Sequence, residues 1–168
     1  MEQTKFAYGH KQLTSKLFTN FILWSEKMEF KILNDLNTDI IAIREEAFIN
    51  GRGVPREIEL DGKDSVLKHF CLYHRGRLYA YLRAEDMGEL LHIGRVAVAE
   101  DLRGNGYGRA LLNYLLDYAA ANGFKGVELS AVNTAVGFYK KLGFSAVGDY
   151  FEEAGAPHIY MILEFDKI

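Results

Sequence analysis

The sequence predicts a mixed α/β (α+β) fold, with one mostly antiparallel sheet of about seven strands and helices on both faces. Three observations predict it. Short apolar or alternating runs bounded by turn residues recur seven times between positions 28 and 165. Helical spacing interrupts them after the first run and again before and after the fifth. A chain of 168 residues that is 49% apolar and 26% charged has the size and balance for one domain with a proper core.

In chain order, residues 1–27 carry Leu13, Leu17, Phe18, Phe21, Ile22 and Trp24, an apolar stripe suited to a short helix. They read as an N-terminal extension ahead of a domain over 28–168. The stripe suits packing on its own domain, a homodimer contact or a partly disordered leader. Residues 28–33 form a first strand. Asn34 or Asp35 can cap a helix in which Ile40, Ile41, Ile43, Arg44 and Phe48 share helical spacing, until Gly51, Gly53 and Pro55 break it. Glu57, Glu59 and Asp61 then alternate, so on an extended segment they would share one face. There they would either steer a cationic amine or make a solvated acidic loop.

Residues 66–73 and 77–85 are two strands joined at Arg75-Gly76, and Met87-Gly88 turns into a further strand over 89–98. A helix follows over 107–122, with Leu111, Leu112, Leu115, Leu116 and Ala119 on one face and Gly123 as its stop. A strand over 127–132, a short helix over 135–142 ended by Gly143, and strands over 144–151 and 157–165 complete the order.

The bulk properties narrow the function. A net charge of −3 with no Lys/Arg cluster leaves no footprint for nucleic acid. No apolar run is long enough to cross a membrane and no signal-peptide pattern is visible, so the default location is cytoplasmic. The single cysteine, Cys71, excludes an internal disulfide, and its setting in His69-Phe70-Cys71-Leu72-Tyr73 is that of a buried, inert thiol. The five histidines show no metal-ligand spacing.

The chemistry concentrates at Arg103-Gly104-Asn105-Gly106-Tyr107-Gly108, between a strand and a helix. Three alternate glycines strip side chains from the turn, so bare amides point outward beside the positive end of a helix, a setting that favours an anion. Arg103 adds a planar donor fork suited to phosphate oxygens. The physical reading is a pyrophosphate cradle, against the plainer one of a turn that merely joins strand to helix. A dinucleotide fingerprint needs two residues between its last glycines; here Tyr107 stands alone, and no acidic residue ends the strand over 127–132. No Gly-Lys-Ser/Thr ending is present either, which sets aside a nucleoside-triphosphatase loop.

Ile93-Gly94-Arg95-Val96-Ala97-Val98, followed by Asp101-Leu102-Arg103-Gly104-Asn105-Gly106-Tyr107-Gly108-Arg109-Ala110-Leu111-Leu112, resembles the acyl-coenzyme-A motif of the GNAT acetyltransferase superfamily. Ala135-Val136-Gly137-Phe138-Tyr139-Lys140-Lys141-Leu142-Gly143-Phe144 resembles its second signature. The run from Val54-Pro55-Arg56-Glu57-Ile58-Glu59-Leu60-Asp61 resembles a bacterial branch with a Val-Pro-x-Glu-x-Glu-x-Asp pattern.

The resemblance implies the acyl-CoA N-acyltransferase fold and transfer of an acetyl group from acetyl-coenzyme A to a small or peptidic amine. It implies direct attack, without a covalent acyl-enzyme. It places the main chain of Val96, Ala97 and Val98 along the pantetheine arm and Arg103, Gly104, Asn105, Gly106, Tyr107 and Gly108 on the pyrophosphate. It also puts Phe138 beside the cofactor and Tyr139 as the acid for the departing thiolate. A phenol with a pKa of about 10 can protonate a thiolate whose conjugate acid has about 8.5. Superfamily members often place Asn or Gln three residues before the alanine of the second signature. Val132 stands there, so either Asn133 serves through a one-residue slip or that contact is missing. For the base, Glu89, Glu100, Glu152, Glu153 and His158 are all available. The competing expectation is a non-catalytic acyl-coenzyme-A binding module.

Overall fold

In the computed structural model, residues 28–165 are described. The expected N-terminal helix over 1–27 lies outside them. Seven strands form one sheet: β1 (Met28–Leu33), β2 (Lys68–His74), β3 (Arg77–Asp86), β4 (Leu90–Val98), β5 (Gly126–Val132), β6 (Ser145–Glu153) and β7 (Ala156–Glu164). Their spatial order is β1-β2-β3-β4-β5-β7-β6. Every neighbouring pair is antiparallel except β4 with β5. A parallel pair needs a crossover, and α3 (Tyr107–Ala121) supplies it.

Strand alternation sorts the core into two layers. Phe70 and Leu72 of β2 face Leu111, Leu112, Leu115 and Ala119 of α3. Their neighbours Cys71 and Tyr73 face Ile40, Ile43 and Phe48 on the opposite side. The first of those helices is α1 (Thr38–Arg44), which continues into a π-helical turn over Glu45–Asn50. Helices therefore cover both faces, as the hydrophobic spacing predicts. Burial pushes the Cys71 thiol up to about 12, which keeps it protonated and inert.

Two expectations fail locally. The cap of α1 is Asn37, whose side chain accepts from the Ile40 amide at 2.9 Å, and not Asn34 or Asp35. The acidic run is not extended. Pro55 presets the backbone for a short helix, α2 (Arg56–Glu59), closed by Glu59 and Leu60 amides donating to the Pro55 and Arg56 carbonyls. Positions two apart on a helix diverge, so Glu57 stays exposed while Glu59 is only 2% exposed.

The feature that positions the site is a break in the sheet. β4 and β5 pair only from Leu90–Gly126 to Ile93–Leu129. Beyond that point β4 stays with β3 as far as Val98–Ala80, while β5 stays with β7 as far as Val132–His158. The register of β3 and β4 also shifts between Tyr81 and Arg83, and Arg95 takes a left-handed φ of 57°. That bulge turns β4 away from β5, and a wedge opens between them.

Candidate active site

One side of the wedge is the β4 segment containing Val96, Ala97 and Val98. Their side chains belong to the two cores, so the main chain is what this segment has to offer. β4 leads into the glycine loop, where Gly104 and Gly106 have φ of 78° and 86°, values that cost other residues strain. Asn105 Nδ2 donates to the Leu102 and Arg103 carbonyls at 3.0 and 3.2 Å, fixing the turn from within. Arg103 Nε donates to the Val98 carbonyl at 3.2 Å, which ties the loop back to β4.

No side chain caps the start of α3 at Gly106. Tyr107 packs edge-on against Tyr79, ring centroids 4.8 Å apart. Gly108 serves a different need from the other two glycines. A Cβ there would come within 3.2 Å of Val98 Cγ2 and 3.6 Å of Phe138 Cζ, so its bareness lets α3 approach β4. The loop is thus exposed and rigid, with the positive end of a helix open to an anion.

On the β5 side, Val132 is followed by a turn of 3₁₀ helix over Asn133–Ala135 and by α4 (Val136–Lys140). Asn133 is exposed, and its Oδ1 accepts from the Thr134 amide at 2.8 Å. Phe138 lies half-exposed on α4. Tyr139 beside it is 6% exposed and packs edge-on against Phe138 and Phe144, centroids 5.1 and 5.8 Å away. Burial raises its phenol well above the ordinary tyrosine range, opposed by the positive charge of Arg52.

Arg52 belongs to the opposite face of the sheet. There a cavity of about 210 Å³ lies against Gly94, Ser130, Ile58 and Phe48, with Arg52, Arg95, Glu59, Glu153 and His158 supplying its charge and polarity. Alternation explains the side: Leu129, Ala131 and Ile159 enter the α3 core, so Ser130 and His158 must point the other way. His158 is 5% exposed. Its Nδ1 lies 2.8 Å from the Ala156 carbonyl, which can only accept, so Nδ1 carries the proton. Nε2 is then left with a lone pair, 3.5 Å from Arg52 Nη2.

Behind the cavity the acidic run is consumed by arginines. Arg44, fully buried, reaches Glu59 and Asp64 at 2.7 Å each. Arg83 grips Asp61 with both terminal nitrogens at 2.8 and 2.7 Å and reaches Asp64 at 3.0 Å. Arg95 Nε lies 2.7 Å from Glu59 Oε2, out of line for a hydrogen bond, while its Nη2 donates to the Ile58 carbonyl at 3.0 Å. Arg83 holds the Asp61 carboxyl well below the usual carboxylate range. Glu59 and Asp61 are therefore spoken for, and the expectation that the run steers a cationic amine is corrected.

The residues that sequence spacing missed are Arg52, Arg44 and Arg95. Gly51 and Gly53 signalled a helix break; the structure shows that they also frame Arg52. A Cβ on Gly51 would lie 2.9 Å from the Glu46 carbonyl oxygen, while the Gly53 and Val54 amides bond back to Ile49 and Phe48.

Comparison with known proteins is consistent along the chain. A family model described as an acetyltransferase (GNAT) domain matches residues 33–165. The uncharacterized N-acetyltransferase YjcF of Bacillus subtilis (strain 168) is 30% identical over 125 residues, covering 74% of this chain and 89% of that protein. Protein ElaA of Escherichia coli (strain K12) is 32% identical over 131 residues, covering 74% of this chain and 85% of that protein. The crystal structure of Escherichia coli ElaA superposes with a TM-score of 0.72 at 30% identity, over 81% of this chain and 99% of that one. An acyl-CoA N-acyltransferase from Pseudomonas aeruginosa gives 0.71 at 30% identity, over 80% and 98%.

Proposed function

The chain belongs to the GNAT acetyltransferase family, and from that premise we propose that it transfers an acetyl group from acetyl-coenzyme A to a primary amine by direct attack. The observation that carries this reading is the wedge between β4 and β5, with an uncapped helix start at one end and a polar cavity on the far face. A strand segment whose pairing with β5 stops at Ile93 leaves its free edge for an extended amide-bearing arm alongside Val96, Ala97 and Val98. The loop from Arg103 to Gly108 suits a pyrophosphate, and Gly108 keeps that loop close to β4. Asn133 and Phe138 flank the wedge from the β5 side, where Val132 leaves the arm no polar side chain.

In this reading Tyr139 holds the proton for the sulfur. Its burial keeps the phenol protonated across the working pH range. His158 takes the first proton of the incoming ammonium on Nε2, the nitrogen its backbone contact leaves basic. The amine nitrogen then bonds to the acyl carbon as the carbon–sulfur bond breaks. Sulfur receives the Tyr139 proton, and the second proton of the former ammonium restores the phenol. A crowded buried tyrosine and a cavity on opposite faces fit attack without a covalent acyl-enzyme.

Release of free coenzyme A across a panel of amines tests the proposal, with donor binding followed by calorimetry. Tyr139→Phe should lower kcat about 100-fold, within the usual worth of a positioned acid, and leave the donor Kd within about 2-fold. Donor binding with no transfer to any amine would replace this reading with that of an acyl-coenzyme-A binding module.

A further inference from the structure

The cavity on the α1 face holds one unmatched charge of each sign. Arg44, Arg83 and Arg95 each have a carboxylate within reach, and Glu59, Asp61 and Asp64 are the carboxylates they use. Among the described residues Arg52 has no such partner; its side chain approaches His158 Nε2 at 3.5 Å, a long contact. Glu153, the last residue of β6, lines the same cavity and has no ion-pair partner among the described residues. The backbone that carries Arg52 is pinned rather than loose. It leaves a π-helical turn at Gly51 and is held by amides of Gly53 and Val54 bonding back at 3.0 Å each. π-helical turns of this kind recur at functional sites.

A guanidinium carried on a pinned backbone, facing a small cavity and lacking a carboxylate, is suited to receive one by two parallel hydrogen bonds. The volume of about 210 Å³ falls below that of ordinary drug-sized pockets and suits a compact molecule over a peptide chain. We propose that the acceptor is a small zwitterion, an amine that also carries a carboxylate in the manner of a free amino acid, and that Arg52 binds that carboxylate. The proposal rests on the acetyl-transfer reading for its reaction, but not for its ligand. When the carboxylate engages Arg52, the guanidinium is drawn off His158, and Nε2 is released to face the ammonium. Glu153 favours the charged amine at the cavity rim.

The test is calorimetric binding to the full chain of the twenty free amino acids, each beside its carboxamide, with acyl transfer followed in parallel. Wild type, Arg52→Gln and Arg52→Lys are compared; Arg52 is exposed, so neither change should disturb folding. At least one free amino acid should bind 10-fold or more tightly than its carboxamide. Arg52→Gln should shrink that ratio below 3-fold, with Arg52→Lys between. Equal binding of acid and amide, a preference that survives in Arg52→Gln, or no binding by any of the twenty would overturn the proposal. Arg52-dependent binding without transfer would instead sink the acetyl-transfer reading and leave the carboxylate site standing. Transfer to amides as readily as to acids would do the reverse.

Discussion

At His158 the backbone chooses the chemistry. The Ala156 carbonyl fixes the proton on Nδ1, and near-complete burial prevents the ring from turning to another partner. A histidine in a pattern of strand residues carries no sign of that choice, which is why the sequence left five candidates for the base. Of the four glutamates, only Glu153 lines the cavity. His158→Gln keeps a hydrogen-bonding side chain of similar reach but cannot take up a proton. It should cut kcat about 100-fold with donor binding unchanged. Steady-state kinetics beside calorimetry of donor binding reads both effects. A variant with an unaltered kcat would return the role of base to another group. The glycine loop and the short helix that carries Tyr139, by contrast, were legible as local structure, because their pattern is residues at fixed offsets within one turn or one helix.

At the scale of elements, α2 shows where local pattern misleads. Alternating acids after a proline read equally well as an exposed strand, and only the arginines opposite them decide. Arg44 lies on α1, Arg83 on β3 and Arg95 on β4, 15 to 36 residues from Glu59 in sequence. No window of a few residues contains that information. The cluster fastens α2 to the rest of the domain and so builds one wall of the cavity. Both carboxylates of Arg44 are buried, so removing that cation leaves two interior charges with only Arg95 and Arg83 to offset them. Arg44→Met should therefore cost about 3–5 kcal/mol in denaturant unfolding, where an exposed ion pair would cost below about 1. The succession of strands and helices along the chain, and helices on both faces of the sheet, were legible for the opposite reason: the periods of 2 and 3.6 residues are set by the backbone itself. The cap of α1 shifted because Asn37 gains two partners at once, the Ile40 amide and the Tyr73 hydroxyl at 3.1 Å, the second of which is remote in sequence.

For the molecule as a whole, the same cluster sets a response to acid. Asp61 is depressed in the folded state by Arg83, so the unfolded chain takes up that proton more readily. The stability it contributes is fully present above the ordinary carboxylate range, about 4, and drains away as pH falls further toward the folded value. Denaturant unfolding at pH 7, 4 and 2.5 should show a fall across the lower interval. Asp61→Asn should be less stable than wild type at pH 7 by about 1 kcal/mol or less, since Asp61 is exposed and solvent screens the pair, and should lose less on acidification. A wild-type profile flat between pH 4 and 2.5 would show that the pair carries no such linkage.

A sheet ordinarily acts as a partition: what lies against one face is walled off from what lies against the other. Parting β4 from β5 cuts a window in that partition, with the glycine loop and Tyr139 on one side and Arg52 and His158 on the other. Under the acetyl-transfer reading, donor and acceptor can then come from opposite sides of the partition and meet at the sill.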